Sequence, residues 1–192
     1  MKDKIIISIC GPAGSGKSEI AKNLVKQLGS HMSLRIPCDY FLKSVQYNSF
    51  EEFISTPFKW DWKLLKSFIS QPIGTIHEIP DYDFNTYTRI NKTGGITLTI
   101  RRYITLDSIL PYPESNFAVK LETPEELRME RLKEHDKKWK SNNVKNWDKL
   151  ELTAQKLMGN EFKFNLVLDG SLVIEENVQN VIEFLESKKL LA

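Results

Sequence analysis

Residues 5–18 read Ile5-Ile6-Ile7-Ser8-Ile9-Cys10-Gly11-Pro12-Ala13-Gly14-Ser15-Gly16-Lys17-Ser18 and join two signals. The first is a nearly continuous apolar run over 4–10, rich in isoleucine, which suits a strand buried on both faces, as in a parallel sheet. The second is an unbroken match to G-x-x-x-x-G-K-[ST] over 11–18. Small residues there let successive backbone N–H groups turn inward toward phosphate oxygens, and the following helix offers its positive end to the same anion. Gly11, Pro12, Ala13, Gly14, Ser15, Gly16, Lys17 and Ser18 are thus read as the phosphate cradle of ATP. Lys17 is expected to reach the β- and γ-phosphates, and the Ser18 hydroxyl to ligate Mg2+.

Outward from the loop, Lys17–Leu28 carries helical spacing through Ile20, Ala21, Leu24, Val25 and Leu28, with Gly29 as a stop. A second strand is expected over 33–38, ending at Asp39. Ser49-Phe50-Glu51-Glu52 has capping-box spacing for a short helix, and Asp61 is placed to cap another over 62–70. Strands are expected over 73–79, 96–100, 103–106, 117–121 and 164–168, with Gly94-Gly95 punctuating a hairpin into 96–100. Thr123-Pro124-Glu125-Glu126 starts a helix, with Thr123 at the cap, that runs to about 140; two further helices cover Trp147–Met158 and 175–188. This alternation predicts an α/β fold of the P-loop NTPase type: a doubly wound, mostly parallel sheet flanked by helices, with a small hairpin and a helical lid. One domain over 1–192 is expected, with the lid at roughly 123–145.

The chain is 41% hydrophobic with a formal net charge of +2, so neither a nucleic-acid footprint nor a membrane-surface protein is suggested. Cys10 and Cys38 each close an apolar run without CxxC spacing, and are expected to be reduced and buried, as suits a cytoplasmic protein. His31, His77 and His135 match no metal-ligand spacing. The absence of any long apolar run or signal-like leader leads to the expectation of a cytoplasmic protein with no membrane partner.

A guanine-reading GTPase needs an acid in an N-K-x-D motif, and Asn91-Lys92-Thr93-Gly94 lacks it. Motor-type ATPases need more chain. A small-molecule kinase remains, and it must hold an acceptor hydroxyl in line with the γ-phosphorus beside a carboxylate. Asp39, after the second strand, is the candidate base, with a turn or cap aspartate as the alternative. Asp107 is placed either to reach the magnesium shell through water or to serve only as a strand-end turn residue.

From the P-loop to about residue 140 the order of motifs resembles the uridine/cytidine kinases, within the uridine kinase and phosphoribulokinase group. Cys38-Asp39-Tyr40-Phe41 is similar to the family's D-x-F motif, which implies Asp39 as the base for a 5′-hydroxyl. Trp60-Asp61-Trp62 falls where the family has an aromatic-Asp pair, implying Asp61 on ribose hydroxyls, although a helix cap explains the same residue. Pro80-Asp81-Tyr82-Asp83-Phe84-Asn85-Thr86-Tyr87-Thr88-Arg89 is similar to the base-wrapping P-x-Y-D-F-x-x-H-x-R segment. It implies Tyr82, Phe84 and Tyr87 around a nucleobase, with Tyr87 standing where the family has histidine. Arg128 and Arg131 match the family's lid arginines, implying one toward the acceptor and one, Arg131, toward the ATP phosphates. Asp107-Ser108 replaces the family's Glu-Gly, and lysines replace further lid arginines. The resemblance implies transfer from ATP to a primary hydroxyl of a nucleoside. Its rivals are another sugar, vitamin or ribosyl acceptor, or a regulatory nucleotide-binding protein with a degenerate acceptor site. The family often assembles, so a homo-oligomer is an open expectation, with no stretch marking an interface.

Overall fold

The computed structural model describes residues 4–44, 48, 49, 52, 56, 59–83, 86, 88–90, 95–139, 142–159 and 162–191. Ile5–Cys10 (β1) lies at the middle of a five-stranded sheet with Ser33–Pro37 (β2), Tyr103–Ser108 (β7), Phe117–Glu122 (β8) and Leu166–Asp169 (β9). The order is β2-β7-β1-β8-β9 and every pairing is parallel. β1 is apolar on consecutive residues because each face of the sheet is covered. On one face Ile6, Leu34, Ile36, Ile104 and Leu106 join Phe41, Leu65 and Phe68. On the other, Ile7, Ile9, Val119 and Leu121 pack against Ile20 and Leu24 of α1 (Lys17–Leu28) and Val178, Val181 and Leu185 of α5 (Ile174–Ser187). The one polar residue inside β1, Ser8, is satisfied: its Oγ lies 2.6 Å from Ser115 Oγ and accepts from the Tyr112 N–H at 3.1 Å.

The remaining helices are α2 (Trp62–Ile69), α3 (Glu125–Trp139) and α4 (Trp147–Met158). Asp61 caps α2 as its position predicts, Oδ1 accepting from the Leu64 N–H at 2.9 Å. The Ser49 Oγ accepts from the Glu52 N–H at 3.1 Å, the bond that the capping-box spacing implies; most of the helix expected there lies outside the described residues. No described helix is long and apolar enough to cross a membrane. Both cysteines are free and buried.

Two expectations are corrected. The strand expected over 73–79 shrinks to Ile76–Glu78 (β3) and lies outside the parallel sheet. It pairs antiparallel with Thr97–Thr99 (β6), and a second ribbon, Asp81–Asp83 (β4) with Thr88–Ile90 (β5), falls between them in sequence. β6 thus pairs with β3 across the second ribbon; Gly94, expected to punctuate a hairpin here, lies outside the described residues. Two nested ribbons of three-residue strands are too short for a period of two to be distinguished from a turn-rich loop. Thr123 does not cap α3 either: its hydroxyl donates to the Ser15 carbonyl at 3.1 Å, tying the helix approach to the P-loop.

The N-terminal end of the sheet is pinned by a charge. Lys4, 8% exposed, donates from Nζ to the carbonyl of Ile69 at 2.7 Å and to that of Gln71, at the negative end of α2. Replacing Lys4 by Met keeps the apolar stem and removes both bonds. We expect a loss of about 1.5–3 kcal/mol in denaturant unfolding, in the range of hydrogen bonds to charged groups, with unchanged nucleotide binding.

Candidate active site

Parallel strands deliver their carboxyl ends to one edge; the chain runs from β1 to β2 on one side, returns to β7, and then crosses β1 to β8 on the other side, opening a crevice beside β1. The P-loop fills it. Gly14 and Gly16 hold left-handed backbone, φ 75° and 96°. A Cβ at Gly14 would lie 2.5 Å from the Arg128 carbonyl oxygen, so α3 rests on the loop backbone at a distance only glycine permits. Lys17 Nζ folds back on the Pro12 carbonyl at 3.3 Å.

Ser18, in the first turn of α1, donates to Asp107 Oδ2 at 2.7 Å, and Arg35 Nη2 donates to the same oxygen at 2.9 Å. Asp107 is 5% exposed, and its Oδ1 is buried with no hydrogen-bond partner among the described residues. A buried carboxylate oxygen left bare is costly, and a magnesium ion or its water would satisfy it. The donor set fits that ion: one hydroxyl and one carboxylate side by side, leaving the other positions to water and phosphate oxygens. No cluster of three or more His, Cys, Asp or Glu suited to a metal occurs among the described residues.

Asp39 stands in the 3-10 turn Cys38–Phe41 that continues β2. It is solvent-exposed at its own surface, yet the protein mass around it raises its pKa, chiefly by desolvation and further by the Asp107 charge. Lys17, Lys59 and Arg35 pull the other way, so five charged groups converge on one point of the crevice. Lys59 is 7% exposed, its ammonium 5.1 Å from the Trp60 ring centroid, and burial lowers its pKa while Asp39 opposes that.

The expected acceptor residues form a second group on the same turn. Asp61 N–H donates to the Phe41 carbonyl at 2.7 Å, and Asp61 Oδ2 accepts from Arg89 Nη2 at 3.1 Å. Burial disfavours the Asp61 charge, but the Leu64 N–H, Arg89 and Lys43 outweigh it and its pKa falls. Tyr82 of β4 is buried opposite Arg89. Trp60 and Trp62 stack at 5.5 Å, and the Trp60 Nε1 is buried with no hydrogen-bond partner among the described residues. Phe84 and Tyr87 lie outside the described residues.

The two arginines of α3 divide. Arg131 reaches over the loop, Nη1 donating to the Ser15 carbonyl at 3.2 Å and Nη2 to that of Gly170 at 2.9 Å. Arg128, placed toward the acceptor by its family match, instead turns into protein. Its Nη1 and Nη2 make a bidentate pair with Glu151 of α4 at 2.5 and 2.7 Å, over the Trp147 ring at 5.0 Å, and Nη1 also donates to the Ala13 carbonyl at 3.4 Å. Spacing of three put both arginines on one face, but no pattern in the sequence announces a carboxylate 23 residues on. Arg35, Lys59 and Glu151 were missed for that reason. The signal for Arg35 was a lone charge inside an otherwise apolar strand.

Two curated relatives match nearly the full length: a uridine kinase of Macrococcus caseolyticus, 27% identical over 95% of this chain and 93% of its own, and one of Staphylococcus haemolyticus, 26% identical over 95% and 92%. A D-glycerate 3-kinase structure from Cryptococcus neoformans superposes with TM-score 0.58 at 11% identity, covering 89% of this chain and 88% of that one. No protein-family model matches the chain.

Replacing Arg128 or Glu151 alone strands the other charge in a nearly closed space. We expect Arg128→Met to cost about 3–5 kcal/mol, and the Arg128→Met/Glu151→Gln pair to show about 1–3 kcal/mol of coupling in a double-mutant cycle read by urea unfolding. Additive effects would mean that the two side chains do not act together. With the P-loop, the Ser18–Asp107 pair and helix α3 on one sheet edge, the chain has the fold of P-loop kinases and resembles the uridine kinases over 95% of its length.

Proposed function

We propose that the protein is an ATP- and magnesium-dependent small-molecule kinase that phosphorylates a primary hydroxyl, with a nucleoside of the uridine or cytidine type as acceptor. The single observation that carries this reading is the convergence of Lys17, the Ser18–Asp107 pair and Asp39 on the carboxyl edge of the sheet. The P-loop backbone and Lys17 bind and orient the triphosphate, and Arg131 stands over the loop to meet charge as it spreads over the transferring group. When bound at Ser18 and Asp107, magnesium neutralises phosphate charge. Asp39 accepts the proton of the acceptor hydroxyl. Asp61, Tyr82 and the Trp60–Trp62 stack hold the acceptor; the resemblance implies a part for Phe84 and Tyr87 as well, and both lie outside the described residues. Closure of the 123–145 lid excludes water, which suppresses ATP hydrolysis.

A second reading is favoured by Lys59. A buried ammonium beside Asp39 suits an acceptor that carries its own negative charge, such as a hydroxy acid. ATP consumption should be measured with magnesium against uridine, cytidine, adenosine, simple sugars and hydroxy acids. Turnover on a pyrimidine nucleoside is the expected outcome, with Lys17→Ala abolishing it and Asp39→Asn reducing it about a hundredfold or more while ATP still binds. Turnover on hydroxy acids alone would transfer the reading to an anionic acceptor. ATP binding without turnover on any compound would replace the kinase by a regulatory nucleotide-binding protein.

The pH dependence has a definite sign. The fold raises the Asp39 pKa above its unfolded value, so it favours the protonated carboxyl, and that contribution to stability is lost as pH rises through the raised value. The base works only when ionised. We therefore expect kcat/KM to fall with decreasing pH along a limb lying above the ordinary aspartate range. Asp39→Asn should remove that limb and melt at the same or a higher temperature than the wild type at pH 7 to 8, where the native charge is least favoured. A variant that melts lower at neutral pH would contradict this account.

A further inference from the structure

Arg35 sits in the middle of β2, opposite Thr105 of β7, and reaches diagonally along the shared face to Asp107, two residues further on. Its contact is on the oxygen that already accepts from Ser18, while the other oxygen of Asp107 stays bare. The carboxylate that would serve magnesium is therefore charge-compensated before any ligand arrives. Lys17 and Lys59 act on the neighbouring Asp39, as Arg35 does, so three cations share this edge with the carboxylates of Asp107 and Asp39. A free divalent cation entering this edge meets two carboxylates, one of them already paired, among three positive charges. A cation that arrives on a triphosphate brings its own negative charge, and the same field then attracts the complex.

From this geometry we infer that Arg35 is a charge-compensating residue that makes the site refuse a bare divalent cation and accept one only together with the nucleotide phosphates. The inference rests on the magnesium reading of Ser18 and Asp107. Its consequence is an order of loading: metal and nucleotide enter as one complex, and the empty site neither holds magnesium nor depends on it for folding.

The test uses Mn2+ as the probe and electron paramagnetic resonance of the free ion as the readout, without nucleotide. Arg35→Met should bind Mn2+ roughly tenfold or more tightly than wild type, because a full unit charge in contact with the ligand carboxylate is removed. Its melting temperature should fall without metal, since a buried carboxylate loses its counter-charge, and should rise on adding Mn2+ by more than that of the wild type. Arg35→Lys, which keeps the charge, should stay near wild type in both measurements. If Arg35→Met does not fold, Arg35→Gln carries the same expectation. Equal Mn2+ affinity in wild type and the neutral variants, with Mn2+ taken up normally when ATP is added, would overturn the role of Arg35 alone. No uptake of Mn2+ by wild type even with ATP would overturn the metal site and this inference with it.

Discussion

Ser18 and Asp107 are joined by a hydrogen bond of 2.7 Å between the first turn of α1 and the end of β7, and the working edge of the molecule is organised around it. β1 delivers the chain to the P-loop, β7 delivers the carboxylate beside it, and the parallel register that pairs Cys10 with Ser108 leaves the two no freedom to drift apart. The neighbouring pair, Pro37 with Asp107, brings the turn that carries Asp39 out just beyond the end of the next strand. A buried carboxylate is tolerable only where hydrogen bonds and a counter-charge meet it, and Ser18 and Arg35 supply both on one oxygen. The bare second oxygen marks where the fold leaves a requirement for something outside the chain.

Helix α3 is attached to this edge through backbone carbonyls. Thr123 and Arg131 both donate to Ser15, Arg131 to Gly170, and Arg128 to Ala13, while Gly14 lets the helix backbone come directly onto the loop. Arg128 is held from behind by Glu151 and Trp147, so α3, α4 and the loop form one connected unit. Arg131 has no such clamp in view: its contacts are two carbonyls at ordinary hydrogen-bond distance. Of two arginines one turn apart, Arg128 is clamped by a carboxylate and Arg131 reaches only backbone carbonyls. A planar donor fork serves either use, and the surroundings choose.

The margin around Asp61 is built differently from the P-loop edge. Short ribbons, the Trp60–Trp62 stack and the Asp61–Arg89 pair line it, and Asp61 performs two tasks at once, capping α2 and pairing with Arg89. Its depressed pKa keeps it charged for either. Lys59 and the Trp60 Nε1 add polar character to a wall that would otherwise be aromatic. A parallel sheet that carries the P-loop, with short ribbons at its margin, can vary the ribbons without disturbing the loop.

The sequence by itself determined the P-loop, its strand and helix, the cap at Asp61 and the bounds of Trp147–Met158, because each rests on local chemistry: a glycine spacing, a side chain reaching three residues along, a period of 3.6. It also brought Asp39 and Asp107 forward, since strand ends in a parallel sheet share an edge. Only the tertiary structure decided that Arg35 compensates Asp107, that Lys59 is buried beside Asp39, that Arg128 belongs to Glu151, and that Thr123 bonds the P-loop instead of capping a helix. Each of those is a contact between groups distant in the chain whose partners compete for the same donor. A long flexible side chain carries no mark of which partner it will meet, because the outcome depends on which elements the packed core brings within reach.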